Sequence, residues 1–157
     1  MLITSIVFFL QGCTSGEAPT KEEIVGTWVS ADGAVLEFKG DGSFIGKDLP
    51  SEIVNDPNGN NFDASGKWSI EASRKAWDQQ PWQVSLSFTN TPTGYISATS
   101  LIASGSNFME NAPPWQNLFF WKGEEGGERY EFKKKINFNS PQRCATNEKE
   151  AVLFNVV

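Results

Sequence analysis

The sequence predicts an all-β domain, an antiparallel up-and-down barrel of about eight strands, with a two-sheet sandwich as the alternative. Three observations predict it. From Gly26 onward, apolar and polar residues alternate with period two in short runs, as in strands that bury one face. Turn formers separate the runs, and Asp-Gly occurs at Asp32-Gly33 and again at Asp41-Gly42, where Gly tolerates the positive φ that a tight hairpin requires. A weak internal repeat divides the chain: Gly26-Thr27-Trp28 is answered by Leu36-Glu37-Phe38, and Gly66-Lys67-Trp68 by Leu86-Ser87-Phe88. Connections this local favour the barrel, because closure removes the adhesive edges of a sheet.

The elements follow in order. Lys21-Glu22-Glu23 is a polar lead-in with room for one helical turn. Residues 26–30 form the first strand, 31–33 turn, 34–39 alternate as the second, and Gly40-Asp41-Gly42 turns into a third at 43–47. Residues 48–63 read as a solvated hairpin loop. Its oxygen-rich run from Asn55 to Asn61 invites a calcium reading, but Gly59 is out of place for an EF-hand and no Glu closes the pattern. A fourth strand is expected at 65–71, and after a connection over 72–81 the fifth, at 82–88, places Trp82, Val84, Leu86 and Phe88 on one face. The sixth falls at 95–102, followed by a Gly/Asn/Pro loop over 103–115. Residues 118–122, the acidic turn 123–127 and residues 129–133 make the last hairpin. The tail, residues 134–157, suggests one more strand or a docked segment.

Charge and composition narrow the function. The net charge of −6, a pI near 4.7 and the absence of His argue against nucleic acid, whose phosphates call for basic patches. Without His, Ser-His-Asp, Cys-His and His-based zinc chemistry are excluded. Carboxylate pairs are the remaining route to catalysis, but the candidates Asp41, Asp48, Asp56, Glu124 and Glu125 all lie in predicted turns, where acids are solvated. The expectation is therefore a domain that is not an enzyme and carries neither cofactor nor metal.

The N-terminus points to location. An uncharged apolar run over residues 2–10 leads into Leu10-Gln11-Gly12-Cys13, then into a polar Ser/Thr/Gly/Pro-rich spacer. This resembles the lipobox of bacterial lipoproteins, at which a signal peptide is removed and the Cys is acylated. The resemblance implies a signal over 1–12, an acylated Cys13 with a flexible tether over 13–23, and a single domain over 24–157. Cys13 would carry palmitate-type acyl chains and anchor the domain to a cell-envelope membrane, with the domain extracytoplasmic. Thr14 in place of Asp is compatible with the outer membrane in a diderm host. No Lys or Arg precedes the run, which leaves open a start codon placed too far downstream or no export. With Cys13 acylated, Cys144 stands alone and is expected to be buried or in a quiet loop. A Cys13–Cys144 disulfide arises only if the lipobox reading fails.

Gly26-Thr27-Trp28 opening the first strand of a small barrel resembles the N-terminal signature of lipocalins and related calycins. The wider series, with Leu36-Glu37-Phe38, Gly66-Lys67-Trp68 and Arg129-Tyr130-Glu131-Phe132, is similar to small bacterial lipoproteins with lipocalin-like domains. The resemblance implies that Trp28 plugs the closed end of the barrel and that Arg129 packs across it as a cation over the ring. The Thr-Asp-Tyr signature of a middle turn in lipocalins is absent.

Trp28, Trp68, Trp82, Phe88, Phe119 and Phe132 are expected to fill the core. Trp77 and Trp115 sit in loops and are the candidates for ligand or partner contact, with capping of the barrel as the plainer alternative. Two functions follow. The first is an anchored, non-catalytic lipoprotein binding a small apolar or amphipathic ligand inside the barrel. The second is a protein-binding envelope module, an inhibitor or assembly factor, with a filled core and recognition through loops 48–63 and 103–115.

Overall fold

Period-two alternation commits each run to one buried face, and short turns bring successive runs side by side. The computed structural model of the chain describes residues 18–56, 59–73, 81–91, 98–106, 109–123 and 127–135. The expectations for Cys13, Trp77, Glu124, Glu125, Cys144 and the tail beyond residue 135 fall outside the described residues. The eight strands are β1 Gly26–Ser30, β2 Val35–Phe38, β3 Ser43–Leu49, β4 Phe62–Ala72, β5 Trp82–Asn90, β6 Ala98–Ser104, β7 Asn117–Lys122 and β8 Glu128–Lys134. Each pairs antiparallel with the next, and β8 returns to β1 through Trp28 opposite Lys134 and Ser30 opposite Phe132. The result is a closed eight-stranded up-and-down barrel. The sandwich alternative is thereby set aside.

The interior is packed with rings. Phe38 meets Trp68 edge-on at 5.3 Å, Phe44 meets Phe88 at 5.4 Å, and Tyr130 meets Phe132 at 5.3 Å between ring centres. Leu36, Val84, Leu86, Leu101 and Leu118 fill the spaces between them, each fully buried. Eight strands enclose an interior that side chains can fill, and here they do. Gly66 is where the packing becomes too close for any side chain: a Cβ there would stand 2.0 Å from the Ser87 carbonyl oxygen and 2.7 Å from the Phe44 ring. The β4–β5 register shifts at this point, between Ser65 and Gly66.

Among the described residues, a short helical element covers part of each end. At the end where β1 begins, α1 Lys21–Ile24 inserts Ile24, and the Trp28 indole N–H donates to the Ile24 carbonyl at 2.8 Å. Trp68, in the second Gly-x-Trp, donates likewise to the Lys39 carbonyl at 3.0 Å. At the opposite end a 3-10 helix, Ser51–Val54, buries Ile53, which joins Leu49 and Phe62 in the core cluster. This corrects the expectation of a solvated loop over 48–63. Its Asn/Asp/Gly run masked three apolar anchors, and burying them favours a lid over a free loop.

Phe119 is also corrected. It is fully buried, but Leu118 opposes Phe132 and so faces inward, which turns Phe119 to the outer wall opposite Glu131. Arg129 covers it there, its guanidinium carbon 4.3 Å from the ring centre.

Candidate functional site

The groove that best combines shape with unused chemistry lies at the α1 end, with a volume of about 550 Å³. Its walls are Glu23 of α1, Pro114 to Asn117 at the entry to β7, and Lys133 and Lys134 at the end of β8. Backbone hydrogen bonds lock these walls together: Gln116 N–H donates to the Ser104 carbonyl at 3.0 Å, and Lys134 N–H donates to the Gln116 carbonyl at 3.1 Å. The Pro113–Pro114 peptide that leads in is cis. α1 is held by a capping box in which the Thr20 hydroxyl accepts from Glu23 N–H and the Glu23 carboxylate accepts from Thr20 N–H at 2.8 Å.

Two side chains give the groove its character. Trp115 is 3 % exposed, and its indole nitrogen is buried without a hydrogen-bond partner. Buried polar groups are overwhelmingly paired, so an orphan donor calls for an explanation. Lys134 donates its ammonium to the Glu23 carbonyl and sits over the Trp28 ring at 5.6 Å. Burial pushes the Lys134 ammonium below the usual lysine range, with Glu23 acting in the opposite direction.

The cation over Trp28 is thus Lys134, where the resemblance implied Arg129. Register explains the exchange. Lys134 lies directly opposite Trp28 and shares the inward parity of Tyr130 and Phe132, whereas Arg129 has outward parity, opposite Trp121. Arg129 stacks on Phe119 and Trp121 and forms an ion pair with Glu110 at 2.9 Å. Of the two loop tryptophans, Trp115 joins the core cluster and also lines the groove; Trp77 lies outside the described residues.

A larger depression, about 640 Å³, runs along β1 and β8 at the opposite end, and there Ser30, Asp32 and Tyr130 already serve one another. The Tyr130 hydroxyl donates to Asp32 at 2.6 Å, and Ser30 donates to the same carboxylate oxygen. Desolvation would raise the Asp32 carboxyl, yet the hydrogen bonds from Ser30, Tyr130 and the backbone outweigh it and hold it below the usual range. Desolvation, and then the bond to Asp32, push the Tyr130 hydroxyl well above its ordinary value. Of the turn acids, Asp41 accepts from the Ser43 hydroxyl and backbone N–H and is held low, the reverse of what a general acid needs. Among the described residues, no group of three or more Asp, Glu, Cys or His is placed to hold a metal ion.

Sequence reasoning missed Lys134, the Ser30–Asp32–Tyr130 cluster and the Arg129–Glu110 pair. Only the first left a signal: continuing the alternation Tyr130, Phe132 by one step places Lys134 inward. Comparison with protein-family models, curated proteins and solved structures returns no match. The closed eight-stranded meander is compatible with a lipocalin-like barrel, and the class stands on that topology alone.

Proposed function

We propose that the chain is a lipid-anchored, non-catalytic binding module of a bacterial envelope, with a solid barrel that serves as a rigid support and recognition carried by its ends and outer walls. The observation that carries this reading is the packed interior: aromatic rings in mutual contact, with fully buried aliphatic side chains between them. A carrier of the kind first expected needs room among Val84, Leu86 and Leu101, and all three are fully buried within the core cluster. The reading therefore follows the filled-core alternative, with any small ligand met at an end of the barrel.

Xenon titration followed by NMR tests it, because xenon enters dry apolar cavities. The methyl signals of Val84, Leu86 and Leu101 are expected to stay in place. Saturable shifts there would return the ligand to the interior and overturn the reading. For the anchor, Cys13→Ala is expected to release the protein from membranes and abolish acyl labelling; a variant that still carries lipid would sink that part.

A further inference from the structure

We propose that the edge of β8 over residues 128–131, beside the end of β1, is a docking site for an extended, basic peptide segment of a partner protein, which adds there as a strand. The inference rests on the reading above in placing recognition outside the barrel, and it names the kind of partner.

The barrel is closed, yet β8 outruns β1. The last residue pair between them is Ser30 opposite Phe132, and β1 then turns away: Gly33 N–H donates back to the Ser30 carbonyl at 3.2 Å, and Ser30 N–H to the Ala34 carbonyl at 2.9 Å. The first four residues of β8, Glu128 to Glu131, pair with Phe119 to Lys122 of β7 on one side. On the other side lies the depression of about 640 Å³, lined by the same four residues and by Val29 to Asp32. Four strand residues span about 13 Å, room for one short strand.

Register decides which backbone groups face that space. Lys135 N–H donates to the Thr27 carbonyl at 2.8 Å, and Lys134 N–H to the Gln116 carbonyl at 3.1 Å. Bonding direction alternates along a strand, so odd-numbered residues of β8 address β1 and even-numbered ones address β7. The ladder with β7 runs unbroken to Lys122 opposite Glu128, which carries this parity through Glu131 and Arg129. The N–H and C=O groups of these two residues therefore point into the depression, and among the described residues no backbone group meets them there. An unpaired strand edge is a template for another chain, and its repeating donors and acceptors are matched by an extended peptide. β6 and β7 also share three pairs, but there the 3-10 helix lies against β6, and its Glu52 reaches Lys122 of β7 at 3.8 Å.

Charge selects the peptide. Of the cations lining the depression, Lys122 is engaged by Glu52 and Arg129 by Glu110. Asp32, Glu128 and Glu131 then outweigh Lys133, on a chain of net charge −6. A basic side chain set across from Glu131 makes a favourable cross-strand pair. A second copy of this chain would bring the same acidic edge, itself recessed, which leaves a separate basic strand as the occupant.

The test is an amide-NMR titration of the purified full-length chain with a blocked hexapeptide alternating lysine and valine. Two controls run beside it: the glutamate–valine counterpart, and the lysine–valine peptide N-methylated at every peptide bond. The lysine peptide is expected to saturate and to slow hydrogen exchange at the Arg129 and Glu131 amides about tenfold or more, leaving that of Tyr130, which faces β7, unchanged. The glutamate peptide is expected to bind about tenfold more weakly, and the N-methylated peptide to give no protection. Glu128→Lys, at an exposed position, is expected to weaken the lysine peptide about tenfold. If that variant fails to fold, the three peptides on the unaltered chain decide alone. Absence of saturation, saturation without the odd–even protection pattern, or equal binding of the two charged peptides overturns this inference and leaves the solid-barrel reading standing. So does protection of both amides in the chain alone, as a second copy or another segment of this chain on the edge would produce. Shifts centred on Leu86 and Leu101 instead would overturn both.

Discussion

Tyr130 ties the rim opposite α1 together: its hydroxyl reaches Asp32 and Ser30, and its ring packs between Phe120 and Phe132. Tyr130→Phe keeps the ring and removes the bonds, so at neutral pH it is expected to cost about 1 kcal/mol, read as a lower urea midpoint with unchanged slope. The pH dependence has a definite sign. Asp32 has a folded pKa below its unfolded one, so its contribution is fully present above the ordinary carboxylate range and is lost as pH falls through the folded value. The gap between the two proteins should therefore narrow from about pH 7 to about pH 3. A gap that is the same at both would show that the hydroxyl does not act through the carboxylate. Trp28 and Lys134 make a related point about legibility. The tryptophan's inward position was readable from alternation, but the identity of the cation above it depends on which β8 residue the register sets opposite, and no local pattern encodes that.

Among the elements, the strands were the legible part. All eight were anticipated near their observed limits, because alternation and turn chemistry are local properties. The closures were not. The polar stretch 48–63 hides Leu49 at the end of β3, Ile53 in the 3-10 helix Ser51–Val54 and Phe62 at the start of β4, and only the assembled barrel gives them an apolar end to cover. Phe119 was misplaced for a similar reason: Leu118, Phe119, Phe120 and Trp121 follow one another without a polar residue, so the sequence does not say which pair faces in. If the helix is a lid and not a loop, Ile53→Ala should cost about 2–5 kcal/mol, as for other large-to-small core changes, measured by chemical unfolding. A loss under about 0.5 kcal/mol, typical of surface positions, would restore the solvated-loop view. The groove was half legible. Trp115 stood out in its loop, while Lys134 was assigned to the tail and the orphaned indole nitrogen depends on three-dimensional surroundings.

At the scale of the whole molecule, the sheet is uneven around its circumference. β4 and β5 share eight residue pairs, whereas β6 and β7 share three, and so do β1 and β8, Trp28 to Ser30 with Phe132 to Lys134. The barrel therefore has two thin joins, and the one between β1 and β8 is the seam that closes the ring. Native-state hydrogen exchange is expected to show the β4–β5 amides protected to the level of global unfolding, with Val29 and Lys133 opening earlier. Equal protection around the ring would mean that the end closures, Ile24 and Ile53, clamp the seam as firmly as the ladder holds the opposite wall.

The position of that seam also orders the birth of the molecule. Ser30 and Tyr130, which join across it, are a hundred residues apart in sequence. The first strand leaves the ribosome long before its second neighbour is synthesised, so the nascent sheet carries open edges at both β1 and the growing tip. Only when β8 emerges can the ring shut, and until then the chain is a ribbon that can be threaded, held by a chaperone or cut by a protease.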